Sequence, residues 1–128
     1  MLRLTMLGAA VLLLCGFAEP SATVIDSWNG GPKTPAYHHV KVDCQAIRHA
    51  HGRNAINGWW SAALADVDIT PSGPGLTMAC RDRTSCITSG VLQRMTGTAA
   101  THVMPFDSPE DAQAMSSRIA ALRKACAA

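Results

Sequence analysis

The stretch that decides the fold is SPEDAQAMSSRIAALRKAC, running from Ser108 to Cys126. Ser108 is a favoured N-cap, and Pro109 fits the first helical position because its missing N–H is unpaired there anyway. Glu110 and Asp111 complement the positive end of the helix dipole, and Arg123 and Lys124 complement the carbonyl end. Apolar or small residues recur at Ala112, Met115, Ile119, Leu122 and Cys126, a spacing of three, four, three and four that places them in one stripe. A helix of this length spans about 27 Å and draws most of its stability from packing. Something upstream must therefore cover the stripe, and Cys126 predicts a covalent tie to it.

The chain opens with Met1 to Ala18, which carries one positive charge at Arg3 and an apolar run from Leu4 to Leu14, with Gly16 and Ala18 spaced for cleavage. This is the pattern of a secretory signal peptide, and the run falls short of the roughly 20 residues that a membrane span needs. The rival reading is a lipoprotein anchored through Cys15, which Leu14 disfavours because a small residue normally precedes a lipidated cysteine. A membrane partner is expected only in that case.

Cleavage after Ala18 leaves one domain's length of chain, with ten basic and nine acidic residues. A balance this close to neutral argues against an electrostatic nucleic-acid binder. Leu, Ile, Val and Phe supply only 17 residues of that chain, so the core is thin and needs reinforcement. Four cysteines remain, an even number in a small exported chain, and they read as a disulfide framework. Among the three connectivities, Cys80 with Cys86 closes a short loop and Cys44 with Cys126 joins an early strand to the final helix. Zinc is the alternative, but no C-x-x-C pair is present.

Residues 19–36 contain a proline and glycine cluster at Asn29-Gly30-Gly31-Pro32 and read as a flexible leader, with Trp28 docking on the domain. The domain itself is expected over residues 37–128. Val40, Val42 and Cys44 alternate with His39, Lys41 and Asp43 in a half-buried strand, and Gln45 to His51 fits either a strand or a short helix. Asn57-Gly58 marks a turn. A strand is predicted over Ala62 to Thr70, followed by a turn at Pro71 to Gly75. Leu76 to Cys80 and Cys86 to Val91 are predicted to pair as a hairpin pinned at its tip by the cysteines. Ile87 and Val91 have the wrong parity for Cys86, which requires either two covered faces or a bulge. Gly90 to Gly97 reads as a connection and Thr98 to Phe106 as a last strand, ending near Pro105.

Strands followed by one amphipathic helix give an α+β class, a small antiparallel sheet packed against a C-terminal helix and stapled by two disulfides. From Trp59 to Cys126 this element order resembles the PH-like fold, a curved antiparallel sheet closed by a C-terminal helix. The resemblance implies a binding module without choosing its ligand. The basic strand pair that phosphoinositide binders use is not evident.

Candidate chemistry is sparse. His49 and His51 share a face if they lie on a strand, as two metal ligands would, with His38 and His39 upstream. The same histidines with Lys41 form a conceivable acid–base set, and Asp66 and Asp68 a conceivable carboxylate pair. Trp59 and Trp60 must face opposite ways, which makes the outward ring the best single candidate for ligand or partner contact. Arg81 and Arg83 are placed to receive an anionic group. No G-x-S-x-G, P-loop or dinucleotide fingerprint is present and no cofactor is implied. The reading is an exported, non-enzymatic binding module whose partner is a protein or a small ligand. Its rival is a small metal-dependent or histidine-based hydrolase, which would need several of His38, His39, His49, His51, Asp66 and Asp68 in one cleft.

Overall fold

A computed structural model of the chain describes residues 23–29, 38–52 and 55–128. The signal-peptide segment, Cys15 and most of the leader lie outside the described residues. The C-terminal helix, α1 (Pro109–Ala127), begins as its sequence requires, with the Ser108 hydroxyl accepting from the Asp111 N–H at 3.1 Å. Ala112, Met115, Ile119 and Leu122 are its buried residues. Cys126, the last member of the stripe, is bonded to Cys44, and Cys80 is bonded to Cys86.

Two antiparallel sheets, rather than the single expected one, supply the surface that α1 covers. The larger has six strands in the order β1 (Val24–Asn29), β2 (His38–Asp43), β3 (Ala46–His51), β4 (Gly58–Ala63), β7 (Ile87–Val91) and β8 (Arg94–Ala99). The smaller has β5 (Val67–Ser72), β6 (Gly75–Cys80) and β9 (Thr101–Pro105), in that order. The helix packs on β5, β6 and β1, an edge strand from each sheet among them. The core between these elements is built from Val40, Val42, Ile47, Leu76, Met78, Ile87 and Met104 together with the helix stripe.

The chain changes sheets three times, from β4 to β5, from β6 to β7 and from β8 to β9, and the crossings account for misreadings of the pattern. The predicted strand over Ala62 to Thr70 is in fact β4, one turn of 3-10 helix at Leu64–Asp66, and β5. Ala62 is buried before the turn, Leu64 at its first position and Val67 after it, so the buried parity switches from even to odd. The turn is held by Leu64 N–H donating to Gln45 O at 3.0 Å, and by Arg123 of α1, which donates to the Leu64 and Val67 carbonyls. The third crossing is the bend at Ala100, between β8 and β9, where Ala100 O accepts from the Cys80 N–H at 2.9 Å.

Three further expectations are corrected. The segment Cys86 to Val91 does not pair with Leu76 to Cys80: β6 lies between β5 and β9, whereas β7 pairs with β4 and β8. The Cys80–Cys86 bridge therefore ties the two sheets together instead of pinning a hairpin tip. Residues 90–97 form the β7–β8 hairpin around Leu92-Gln93, not a connection. Val24–Asn29, expected within the flexible leader, is an edge strand, because Ile25 supplies a buried side chain opposite Val42. The parity conflict in β7 resolves as a bulge at Ser89/Gly90, which leaves Ile87 buried and Val91 exposed.

Candidate functional site

Alternation along β2, β3 and β4 sends two different sets of polar side chains to the two faces of the larger sheet. The inner set is His38, His49, His51 and Trp60, which share the face of Val40, Ile47 and Ala62. From the opposing sheet His102 of β9 joins them, on the face of Met104. His38 Nδ1 and His49 Nε2 share a hydrogen bond of 2.9 Å, and His49 Nδ1 and His102 Nε2 share another of 2.8 Å. Three imidazoles thus form one chain from β2 through β3 to β9, and its second bond spans the two sheets.

The rings are packed as well as bonded. His51 stacks on His38 with ring centroids 4.4 Å apart, and Trp60 stacks on His102 at 4.1 Å and on His49 at 5.2 Å. His49 is 2% exposed, while His38, His51 and His102 are half-buried. Burial pushes His49 down to about 3, helped by the neighbouring histidines, and pushes His102 down to about 4. Burial also lowers His38, with His51 adding to the effect and the Asp107 carboxylate opposing it. The chain is accordingly neutral near pH 7, and each imidazole donates through one nitrogen and accepts through the other.

Neutral imidazole is a good metal ligand, but the two nitrogens of His49 diverge, one toward His38 and one toward His102. No group of three or more His, Cys, Asp or Glu side chains placed to hold a metal occurs among the described residues. His49 and His51 do share a strand face, and the buried Nε2 of His51 has no hydrogen-bond partner.

The outer set lies in two rows across the larger sheet. One row places Asp26, Lys41, Arg48 and Ser61 side by side, and the other Trp28, His39, Ala50, Trp59 and Gly90. From these rows Trp28, His39, Lys41, Arg48 and Ala50 line an open groove of about 1280 Å3, completed by the β7–β8 turn with Leu92 and Arg94, while Asp26, the row neighbour of Lys41, lies outside the lining. Trp28, 63% exposed, stacks flat on His39 with ring centroids 4.0 Å apart, and the His39 Nε2 is bonded to Asp26. Trp59 donates from Nε1 to Leu92 O at 2.7 Å, and the Arg48 guanidinium sits 5.4 Å from the centre of its ring. Lys41 and Arg48 are register partners on adjacent strands, a like-charge pairing that costs stability unless a counter-charge offsets it. Among the described residues neither these two nor Arg94 forms an ion pair, and no carboxylate lines the groove.

Several sequence candidates fall elsewhere. Trp59 and Trp60 face opposite ways as expected, Trp59 into the outer rows and Trp60 onto the histidines. Arg81 and Arg83 are exposed in the loop crossing from β6 to β7, and Arg81 Nε donates to Asp68 at 2.8 Å instead of standing free for an anion. Of the six residues that a hydrolase would gather, His38, His49 and His51 meet between the sheets. His39 points to the opposite face, and Asp66 and Asp68 are exposed on the β5 side.

His102 was not among the sequence candidates, although its even parity with Met104 in a strand was a usable signal. The groove's cations were hidden for another reason. Lys41 and Arg48 meet through the register of the β2–β3 hairpin, and Arg94, far from both in the chain, joins them only through strand order. Comparison with protein-family models, with curated proteins and with solved structures finds no match. The likeness in element order to PH-like folds therefore carries no argument about the site. The fold and its two polar faces define a disulfide-stapled, two-sheet α+β domain, and the functional reading rests on those faces alone.

Proposed function

We propose that this chain is an exported binding module that takes an anionic organic ligand in the outer groove of the larger sheet. The observation that carries the reading is the Lys41–Arg48 pair. Two register-matched cations with Arg94 nearby line a groove with no carboxylate in its lining among the described residues, the neighbouring Asp26 being bonded to His39, and the exposed Trp28–His39 stack beside them offers a flat apolar surface. Guanidinium and ammonium groups recognise carboxylate, sulfate or phosphate, while an indole face packs on a ring or an alkyl chain. Two disulfides fit an oxidising compartment, and the signal-peptide pattern of Met1 to Ala18 supplies the route to it. Among the described residues no helix is long and apolar enough to cross a membrane.

The hydrolase reading has less support. The inner histidines bond to one another, and of the carboxylates it would recruit Asp66 lies in the 3-10 turn and Asp68 on β5, both exposed.

Calorimetric titration of the oxidised protein with phenyl phosphate, inorganic phosphate and phenol tests the proposal. Phenyl phosphate should bind saturably and more tightly than either fragment, Arg48→Glu should abolish its binding, and Trp28→Ala should reduce the advantage of the phenyl group. No saturable binding of either phosphate, or binding that Arg48→Glu leaves intact, overturns it.

A further inference from the structure

We infer that His38, His49 and His102 form an acid-operated latch between the two sheets, which holds while the chain carries at most one proton beyond its neutral complement and lets β9 go when it takes a second. The inference is independent of what the outer groove binds.

The argument is a proton count. Three imidazoles present six nitrogens, four of them committed to the two hydrogen bonds, His38 Nδ1 with His49 Nε2 and His49 Nδ1 with His102 Nε2. Each bond holds one proton, so the neutral chain has two protons in its bonds and the third on an outer nitrogen, at His38 Nε2 or His102 Nδ1. One added proton fills the remaining outer nitrogen and leaves both bonds intact. A further proton has no free nitrogen to take, so it must set N–H against N–H within a bond. Repulsion at 2.8–2.9 Å then replaces attraction.

The surroundings give the added charge little relief. On β3, His51 stacks on His38 and adds another titratable ring; on β4, Trp60 faces His49 and His102 without a charge. After β9, Asp107 is the one carboxylate whose charge favours a proton on His38. No carboxylate hydrogen-bonds any of the three rings among the described residues. The lowered values of His49 and His102, about 3 and about 4, agree with a site that resists protons until it opens. Within its sheet β9 pairs only with β6, so when the link to His49 fails it is the strand free to move.

Amide hydrogen exchange, corrected for intrinsic rates and read with imidazole 15N shifts, tests the latch from about pH 7 down to about pH 4.5. The β9 amides should lose protection at least tenfold relative to the β2–β3 amides, and the loss should begin as the summed charge of the three rings rises from one added proton to two. His102→Phe, which keeps an aromatic ring against Trp60 but no acceptor for His49, should leave β9 weakly protected at every pH. Should that variant not fold, His102→Gln serves, because its amide can donate to or accept from His49 Nδ1; β9 protection should then vary less with pH. Equal loss of protection in both sheets, or two added protons on the three rings with β9 unchanged, overturns the inference.

Discussion

His49 Nδ1 lies 2.8 Å from His102 Nε2, and this contact links β3 of the larger sheet to β9 of the smaller one beside an apolar core. Both rings are neutral in the folded protein and protonate readily once exposed. Their folded values, about 3 and about 4, lie below the ordinary 6.5, so below pH 6.5 the unfolded chain binds protons that the native chain refuses. Stability should therefore be full above that value and fall with pH toward the folded values. Each such group contributes up to about 1.4 kcal/mol per pH unit. Urea denaturation at about pH 7 and about pH 5 should differ by roughly 2–4 kcal/mol, a large share of a small domain's stability. A flat profile would mean that the histidines are protonated or hydrated in the native state.

Gly90 is where Trp59 lies down. A Cβ built there meets the indole at 2.3 Å and the Arg94 carbonyl oxygen at 2.5 Å. Gly90→Ala should cost about 1–3 kcal/mol by overpacking. The double variant with Trp59→Ala should recover only the part due to the ring, since the clash with the backbone remains. Thermal denaturation of the two single variants and the double variant checks this.

Arg123 connects α1 to the first sheet crossing through the Leu64 and Val67 carbonyls. Arg123→Met keeps the apolar stem and removes both donors. A loss of roughly 1.5–3 kcal/mol is expected for hydrogen bonds from a charged group. Chemical denaturation measures it, and a loss below 0.5 kcal/mol, the range of ordinary surface changes, would show that the carbonyls find water instead.

The two disulfides close loops of very different length, with sequence separations of 82 and 6. On the loop-entropy account, Cys44→Ala with Cys126→Ala should destabilise by about 4.5 kcal/mol, and Cys80→Ala with Cys86→Ala by about 2.4 kcal/mol. The comparison is made on the two paired variants under oxidising conditions. A reversed order would show that the Cys80–Cys86 bridge between sheets matters more through native packing than through the unfolded chain.

Much of the local structure was legible. The cap at Ser108, the buried stripe to Leu122 and the opposed faces of Trp59 and Trp60 follow from spacing and parity, while spacing only favours the observed disulfides among three connectivities and parity in β7 allows either a bulge or two covered faces. Legibility ended where the chain changed sheets. Across Leu64–Asp66 a single 3-10 turn flips the parity, so two strands in different sheets read as one. A strand's pattern shows which residues are buried but does not name the strand beside it, and so β7 was matched with β6 when its neighbours are β4 and β8.

The class of fold, the final helix, the presence of a cysteine framework and the half-buried strands can be read from the residues alone, because each depends on residues near in the chain or on a count, whereas the pairing of Cys44 with Cys126 joins positions 82 apart. Only the tertiary structure decided the two-sheet arrangement, the imidazole chain and the outer groove. His49 meets His102 across 53 positions, and Lys41 and Arg48 share a groove with Arg94, because strand order and register place them there. Those contacts follow from long-range backbone pairing, which a pattern of period two leaves open.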